Sequence, residues 1–415
     1  MYAFGVRLGL ETQSAAAALA CVAVGIGLGT CSGLTPGLHV NTLAVLLAAA
    51  APALPGPARG LAVTILVAGV VHSMLDVVPA LALGVPDAAM APSTLPGHRL
   101  VLDGRGREAL RLSALGSGAA ALLACVLGWP ITLLVRPLAP AVRAHLPLLL
   151  AAVVVFLVCT ESTRRRRVGA ALAFALTGAF GLVALALPTN PLLGDGDLLM
   201  PAFAGLFGLP VLLAALRGRG PPAQADAAIR APTRITSLAA LAGAAAGAVV
   251  SYVAGVSSAV AAVVALAALP GLDAETGDRA FLVATSGVNT SNTIFALFAF
   301  VALGEAHTGV VVALDRSAAP LDLPLYVACL LLAAAVGVVL VVAVGERYLA
   351  AVASLPTAWV CAAACVLVAA LSVVLAGPVG IAVLAGATVL GFVPPHFGAR
   401  RVHLMGVLVV PLLVA

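Results

Sequence analysis

The chain has 415 residues, of which 63% are hydrophobic and 9% charged, with a formal net charge of +5 and a mean hydropathy of +1.18. Soluble domains carry about 25% charged residues, so this composition excludes a water-exposed globule and leaves an integral membrane protein. The apolar runs are continuous rather than alternating, which excludes a membrane barrel; at roughly 20 residues per crossing they supply on the order of ten spans.

In chain order, Met1–Gln13 carries Arg7 and Glu11 and no small-residue cleavage site, so insertion is expected to use the first span itself. The predicted membrane segments of the first half are Ala15–Thr30, Leu38–Leu54, Leu61–Leu83, Leu112–Val135, Leu146–Cys159, Val168–Leu187 and Leu198–Leu216. Residues 217–234 read as a flexible polar linker with two adjacent prolines and little to pack. The second half predicts Leu238–Ala254, Ser257–Leu269, Phe281–Leu303, Leu323–Val344, Ala358–Leu375, Val379–Val393 and Leu404–Ala415. The fold expected is therefore an all-α polytopic protein of the plasma membrane. Residues 1–216 form a first membrane repeat, 217–234 the linker and 235–415 a second repeat.

Spacing supports the repeat. Pro36 to Gly84 is 84 − 36 = 48 residues and Gly255 to Gly304 is 304 − 255 = 49, and the windows close on PALALG and FAFVALG. A pseudo-two-fold axis relating the halves is the expectation. Arginines cluster in short loops and report topology rather than a nucleic-acid partner. Arg164–Arg167, the linker arginines and the loop with Arg99, Arg105, Arg107 and Arg111 are expected inside; Arg136 and Arg143 are expected outside. The seven cysteines are scattered, and Cys361 and Cys365 are expected to pack as small hydrophobes.

Polar residues inside the apolar runs are the candidate site. Gly33-Leu34-Thr35-Pro36-Gly37-Leu38-His39 runs into Asn41-Thr42 between two apolar stretches. A helix breaker there is tolerated only where protein or a water-filled cavity satisfies the freed backbone, as in the broken helices of secondary transporters. His72, Ser73 and Asp76 lie mid-span before Pro79. An aspartate in a span costs about 2.5–3.5 kcal/mol on insertion scales and normally faces a cavity; His72 and Asp76, four apart, share one helix face. The second-half counterpart is the uncharged run from Thr285 to Thr293, holding Ser286, Asn289, Thr290 and Asn292. Thr35, His39, Asn41 and Thr42 are expected to face His72, Ser73 and Asp76 across one cavity, entered by Asn289, Thr290 and Asn292 from the other half. The glycine- and arginine-rich segment from Pro86 to Arg111 reads as a structured gate or cytoplasmic cap. No nucleophile or metal set accompanies these residues, so neither an enzyme nor a cofactor is expected.

The stretches GLTPGLHVNTLAVLL (Gly33–Leu47), VVHSMLDVVPALALGVPD (Val70–Asp87) and LPGHRLVLDGRGREALRLSALGS (Leu95–Ser117) resemble the large permease subunit of the tripartite tricarboxylate transporter family, most closely its archaeal branch. So do LMPAFAGLFGLPVLL (Leu199–Leu213), SGVNTSNTIFALFAF (Ser286–Phe300) and RRVHLMGVLVVPLLV (Arg400–Val414). The resemblance implies a secondary transporter permease for a small organic anion of the di- or tricarboxylate kind, coupled to a cation gradient (Na+ or H+). In bacterial members it implies a small membrane subunit and an extracytoplasmic solute-binding protein as partners. The alternative weighed beside it is a translocase for a lipid-linked isoprenoid-phosphate carrier.

Overall fold

A computed structural model describes residues 2–3, 6–7, 12–35, 40, 43–44, 47, 57–83, 94–192, 196, 198–216, 222–225, 228–252, 258–267, 274–304, 306 and 308–414. Pro36, Gly37, His39, Asn41 and Thr42, and with them most of the Leu38–Leu54 segment, lie outside the described residues. So do Gly84 and the Gly255–Ser257 segment.

Apart from a two-residue ladder of Tyr2–Ala3 (β1) on Val6–Arg7 (β2), the described regular elements are helical. The first half holds α1 (Thr12–Gly33), α2 (Ala58–Leu75), α3 (Val77–Leu83), α4 (Thr94–Leu102), α5 (Gly106–Val135), α6 (Ala139–Ala144), α7 (Leu146–Cys159) and α8 (Arg164–Ala184). It closes with α9 (Leu199–Phe203), a π turn at Ala204–Gly208 and α10 (Leu209–Ala215). The second half holds α11 (Thr233–Tyr252), α12 (Ser258–Ala267), α13 (Ala274–Leu303), α14 (Gly309–Arg316), α15 (Leu323–Ser354), α16 (Thr357–Ala376), α17 (Pro378–Gly391) and α18 (Val393–Phe397). A 3₁₀ turn at Arg401–Met405 and α19 (Gly406–Val414) end it. Among the described residues nine helical stretches are long and apolar enough to cross a membrane, with shorter apolar ones at Leu146–Cys159, Leu199–Ala215 and Arg401–Val414. The chain is an all-α polytopic membrane protein.

Small residues set the packing, as expected where helix association rests on close backbone approach rather than on expulsion of water. A Cβ on Gly29 of α1 would stand 2.6 Å from Ala68 O of α2, and one on Gly33 2.9 Å from His72 O. The numbers rise together, so α1 and α2 run parallel. Gly337 of α15 meets Met74, and Arg59 at the start of α2 pairs with Asp322 before α15, so α15 joins them in the same direction. A second triplet packs in the same way. A Cβ on Gly243 of α11 would lie 2.5 Å from Ala284 O of α13, and Gly247 meets Ser291. Gly116 and Gly128 of α5 face Val283 and Phe298 of α13. Two parallel triplets result, α1/α2/α15 and α11/α13/α5. They are antiparallel to each other, since Gly118 meets Val338 while Gly345 meets Leu110.

These triplets share one apolar core. A second bundle, with its own smaller cores, is built from α7–α10 and α16–α19. Each bundle therefore draws on both halves of the sequence, and α10 and α16 lie where the two meet, since Leu212, Cys361 and Ala364 join the first core.

The expected linker is only partly a free connector. Gln224 accepts from Gly106 N (2.6 Å) and donates to Val101 O (3.1 Å), while Ala225 N donates to Gly104 O (2.7 Å). Gly104, at φ +74°, makes the tight corner between α4 and α5 that these bonds strap.

Glycine contact predicts its own test. Gly116→Ala puts a methyl against the Val283 backbone and is expected to cost about 1–3 kcal/mol. Gly27→Ala, where an added Cβ meets nothing within 4 Å, is expected to be neutral or stabilising by about 0.5–1 kcal/mol. Thermal unfolding in one detergent compares the two.

Candidate functional site

Pro79 has no N–H for the carbonyl four residues back, Leu75 O, and its ring crowds that turn. The helix accordingly breaks at Asp76, between α2 and α3, with Asp76 N still bonded to His72 O at 2.9 Å. The break lies inside protein: His72, Ser73 and Asp76 are 0%, 3% and 4% exposed. Asn289 of the antiparallel α13 bridges it. Its Nδ2 donates to Ser73 O at 3.0 Å and to Asp76 Oδ2 at 2.7 Å. Depth is matched as well, since 73 − 58 = 15 and 289 − 274 = 15 residues from the two helix starts. At 1.5 Å per residue both lie about 22 Å from opposite ends.

His72 is held from α1. Ser32 Oγ lies 2.9 Å from His72 Nδ1 and 3.2 Å from Gly29 O of its own helix. Of the other described residues expected at the site, Thr35, Ser286 and Asn292 make their bonds elsewhere. Thr35 Oγ1 donates to Cys31 O of its own helix (2.8 Å). Ser286 pairs with Ser113 of α5 (2.8 Å), and its carbonyl accepts from Ser117 (3.2 Å). Asn292 Oδ1 accepts from Ser251 of α11 (3.0 Å). Thr290 is fully buried, and its Oγ1 has no hydrogen-bond partner among the described residues. Asp76, Ser73 and Asn289 thus form one junction; Ser286 and Asn292 belong to the α5–α13 and α11–α13 seams.

Two buried carboxylates that composition did not flag tie the halves together. Glu108, in the first turn of α5, accepts from Arg279 Nε of α13 (2.9 Å), Arg105 Nε (2.6 Å) and Arg230 N of the linker (2.8 Å). Glu275 and Asp278 complete the group by taking Arg279 and Arg99, both at 3.0 Å. In the second bundle Glu161, before α8, accepts from Arg400 N and Nε (3.0 and 2.9 Å) and faces His403 Nε2 (3.0 Å). Burial works to raise the Glu161 carboxyl, but the Arg400 and His403 hydrogen bonds outweigh it and hold it below the ordinary range. Arg401 Nη1 donates to Phe207 O (3.2 Å) in the π turn, beside Pro210.

The segment from Pro86 to Arg111 is ordered as α4 and the start of α5 from residue 94 on. His98 Nδ1–H donates to Leu81 O at 2.7 Å. Burial lowers its pKa, the carbonyl bond opposing.

A profile of the tripartite tricarboxylate transporter TctA family matches residues 19–406. The chain belongs to that family. It is a multi-pass protein of the cell membrane, with the polar junctions above buried among its spans. An uncharacterised protein of Methanocaldococcus jannaschii is 30% identical over 192 residues, which cover 45% of this chain and 45% of that relative. The chain thus matches less than half the length of this curated relative. No solved structure matches it.

The signal that would have found Glu108 and Glu161 is their place beside arginines at the border of an apolar run, in RGREALR and CTESTRRRR. Their partners, Arg279 and Arg400, are 171 and 239 residues away, beyond any local pattern.

Arg279→Met removes a guanidinium from a carboxylate with no exposed surface, and a loss of about 3–5 kcal/mol is expected. The Glu108→Gln/Arg279→Met pair should recover most of it; denaturant unfolding of the four members of the cycle measures this. The lowered Glu161 pKa sets a pH dependence. Its stabilisation is complete above the unfolded-chain value near pH 4.3 and is lost as pH falls through the lower folded value. Glu161→Gln should be less stable at neutral pH and should lose less on acidification, by the unfolding temperature followed from pH 7 downwards.

Proposed function

We propose that this chain is the membrane permease of a secondary transporter for a small organic anion, of the di- or tricarboxylate kind, coupled to Na+ or H+. The observation that carries the proposal is the Asp76–Ser73–Asn289 junction. It joins a broken helix of one half to an antiparallel helix of the other, at equal depth from both ends. Transporters of the inverted-repeat kind place substrate and ion at such midplane breaks. In this reading Asp76 holds the coupling cation, and the helix break and the Pro36-Gly37 segment with His39, Asn41 and Thr42 receive the carboxylates.

The halves are proposed to be inverted repeats, 1–216 and 235–415. The supporting pattern is the matched order of elements: α1, α2–α3, α4, α5, α7 and α8 against α11, α13, α14, α15, α16 and α17, with the corresponding triplets antiparallel. Arg99, Arg105, Arg107 and Arg111 share one end with Arg230 and Arg234. The path through α16, Asn190 on the Ala376 carbonyl, and back along α8 brings Arg164–Arg167 to that end too. Arg59, Arg136 and Arg316 fall at the other. Arginine bias assigns the rich end to the cytoplasm. A small membrane subunit and an extracytoplasmic binding protein are the partners this reading calls for. The isoprenoid-phosphate carrier gains no support from the family assignment.

Uptake of labelled di- and tricarboxylates into proteoliposomes under an imposed Na+ or H+ gradient tests the reading. Asp76→Asn keeps the size and removes the charge, and is expected to abolish gradient-driven accumulation while the protein still inserts and folds. Unchanged accumulation and cation dependence in this variant would remove Asp76 from the mechanism.

A further inference from the structure

At the arginine-rich start of α8, charge is left over. Arg164, Arg165, Arg166 and Arg167 occupy its first turn, all exposed, with no acidic residue among them. A helix N-terminus carries the positive end of the macrodipole, so four cations there repel both one another and the helix. The segment 396–401 wraps this turn and brings more of the same sign. Arg165 Nη2 donates to His396 O (2.8 Å), and Arg166 Nε lies 3.5 Å from where a Cβ on Gly398 would stand. Arg167 Nε donates to Glu161 O (2.9 Å), and Arg400 and Arg401 follow in the same segment. Among the described residues the carboxylate within salt-bridge distance of this group is Glu161, and its side chain is taken by Arg400 and His403. The contrast with the first bundle is direct: there Glu108, Glu275 and Asp278 meet Arg105, Arg279 and Arg99.

The face below the cluster is apolar. Val168 and Leu172, at successive steps of four from Arg164, are 54% and 39% exposed, and Leu176 continues the stripe at 39%. The stripe belongs to a span that begins at Arg164, so the arginines stand at headgroup depth with an acyl-chain path directly beneath. All 21 basic residues other than histidine are arginine, the side chain that binds phosphate oxygens two at a time.

We infer that this corner is a binding site for an anionic phospholipid: its phosphate is held by Arg164, at the head of the stripe, and Arg165, whose guanidinium already reaches the 396–401 segment, and its acyl chain lies along Val168, Leu172 and Leu176. The lipid neutralises the first turn of α8 and joins a first-half helix to a second-half segment. A free phosphate would satisfy the arginines but leave the apolar stripe unused, and the stripe selects the lipid.

The test is the unfolding temperature of the full chain in nanodiscs of phosphatidylcholine alone and of phosphatidylcholine with phosphatidylglycerol. The wild type is expected to unfold at higher temperature with phosphatidylglycerol. Arg164→Gln/Arg165→Gln should lose that upward shift while unfolding normally in phosphatidylcholine. Arg107→Gln/Arg234→Gln, exposed arginines at the same end, should keep it. Lipid retained after washing, by phosphate assay and mass spectrometry, should fall in the first double variant only. An equal loss in both double variants, or no shift in the wild type, overturns the site. So does an equal upward shift on adding inorganic phosphate to phosphatidylcholine nanodiscs, which would make the ligand a free anion.

Discussion

Pro79 can give no hydrogen bond to Leu75 O, and that missing donor deep in an apolar bundle governs what surrounds it. Backbone groups freed inside a membrane must find protein or water, because lipid offers no partner. Here the break falls beside Asp76, and the amide of Asn289 spans the gap with two bonds from one nitrogen, to Ser73 O and to the carboxylate. Both partners come from helices packed against glycine-bearing neighbours, α1 and α11, that approach them backbone to backbone. Without Gly29 and Gly33 on one side, and Gly243 and Gly247 on the other, α2 and α13 would not be seated to the depth at which they meet.

The same economy of polar groups explains the two ends of the first bundle. Where α5 and α13 begin, Glu108 is fully enclosed by the guanidinium groups of Arg105 and Arg279, and the linker supplies the backbone N–H of Arg230 to the same carboxylate. Where α2 and α15 begin, the described residues include an Arg59–Asp322 pair at 3.7 Å with both side chains partly exposed. A buried, hydrogen-bonded ion cluster resists opening more than an exposed pair, whose net worth is small. Arg279 of the buried cluster and Asn289 of the junction lie ten residues apart on α13.

The second bundle rests on Glu161 in a similar way, but around it arginines outnumber carboxylates. Arg401 spends its guanidinium on Phe207 O in the π turn, and Arg400 closes on Glu161 and the end of α7. The charge that remains at the first turn of α8 faces outward, above an apolar helix face.

Composition and the length of apolar runs by themselves determined the class: a chain with 9% charged residues has nowhere to fold but a membrane. Segments such as Leu146–Cys159 ended where the run ended, because a helix in lipid stops where polar residues begin. The cost of Asp76 in a span marked it as a residue needing a partner, and the amide-rich run marked Asn289, from local pattern alone. What pattern could not supply was pairing. Asn289 finds Asp76 across 213 residues while Asn292, three positions on, turns to Ser251. One helical turn separates them, yet the rotation of α13 against α2 and α11 sends each to a different neighbour. Only the tertiary structure decides such rotation, since it depends on which glycine faces which backbone. Glu108 and Glu161 carried only a local hint, arginines at the border of an apolar run, and the partners that bury them, Arg279 and Arg400, arrive from the other half of the chain.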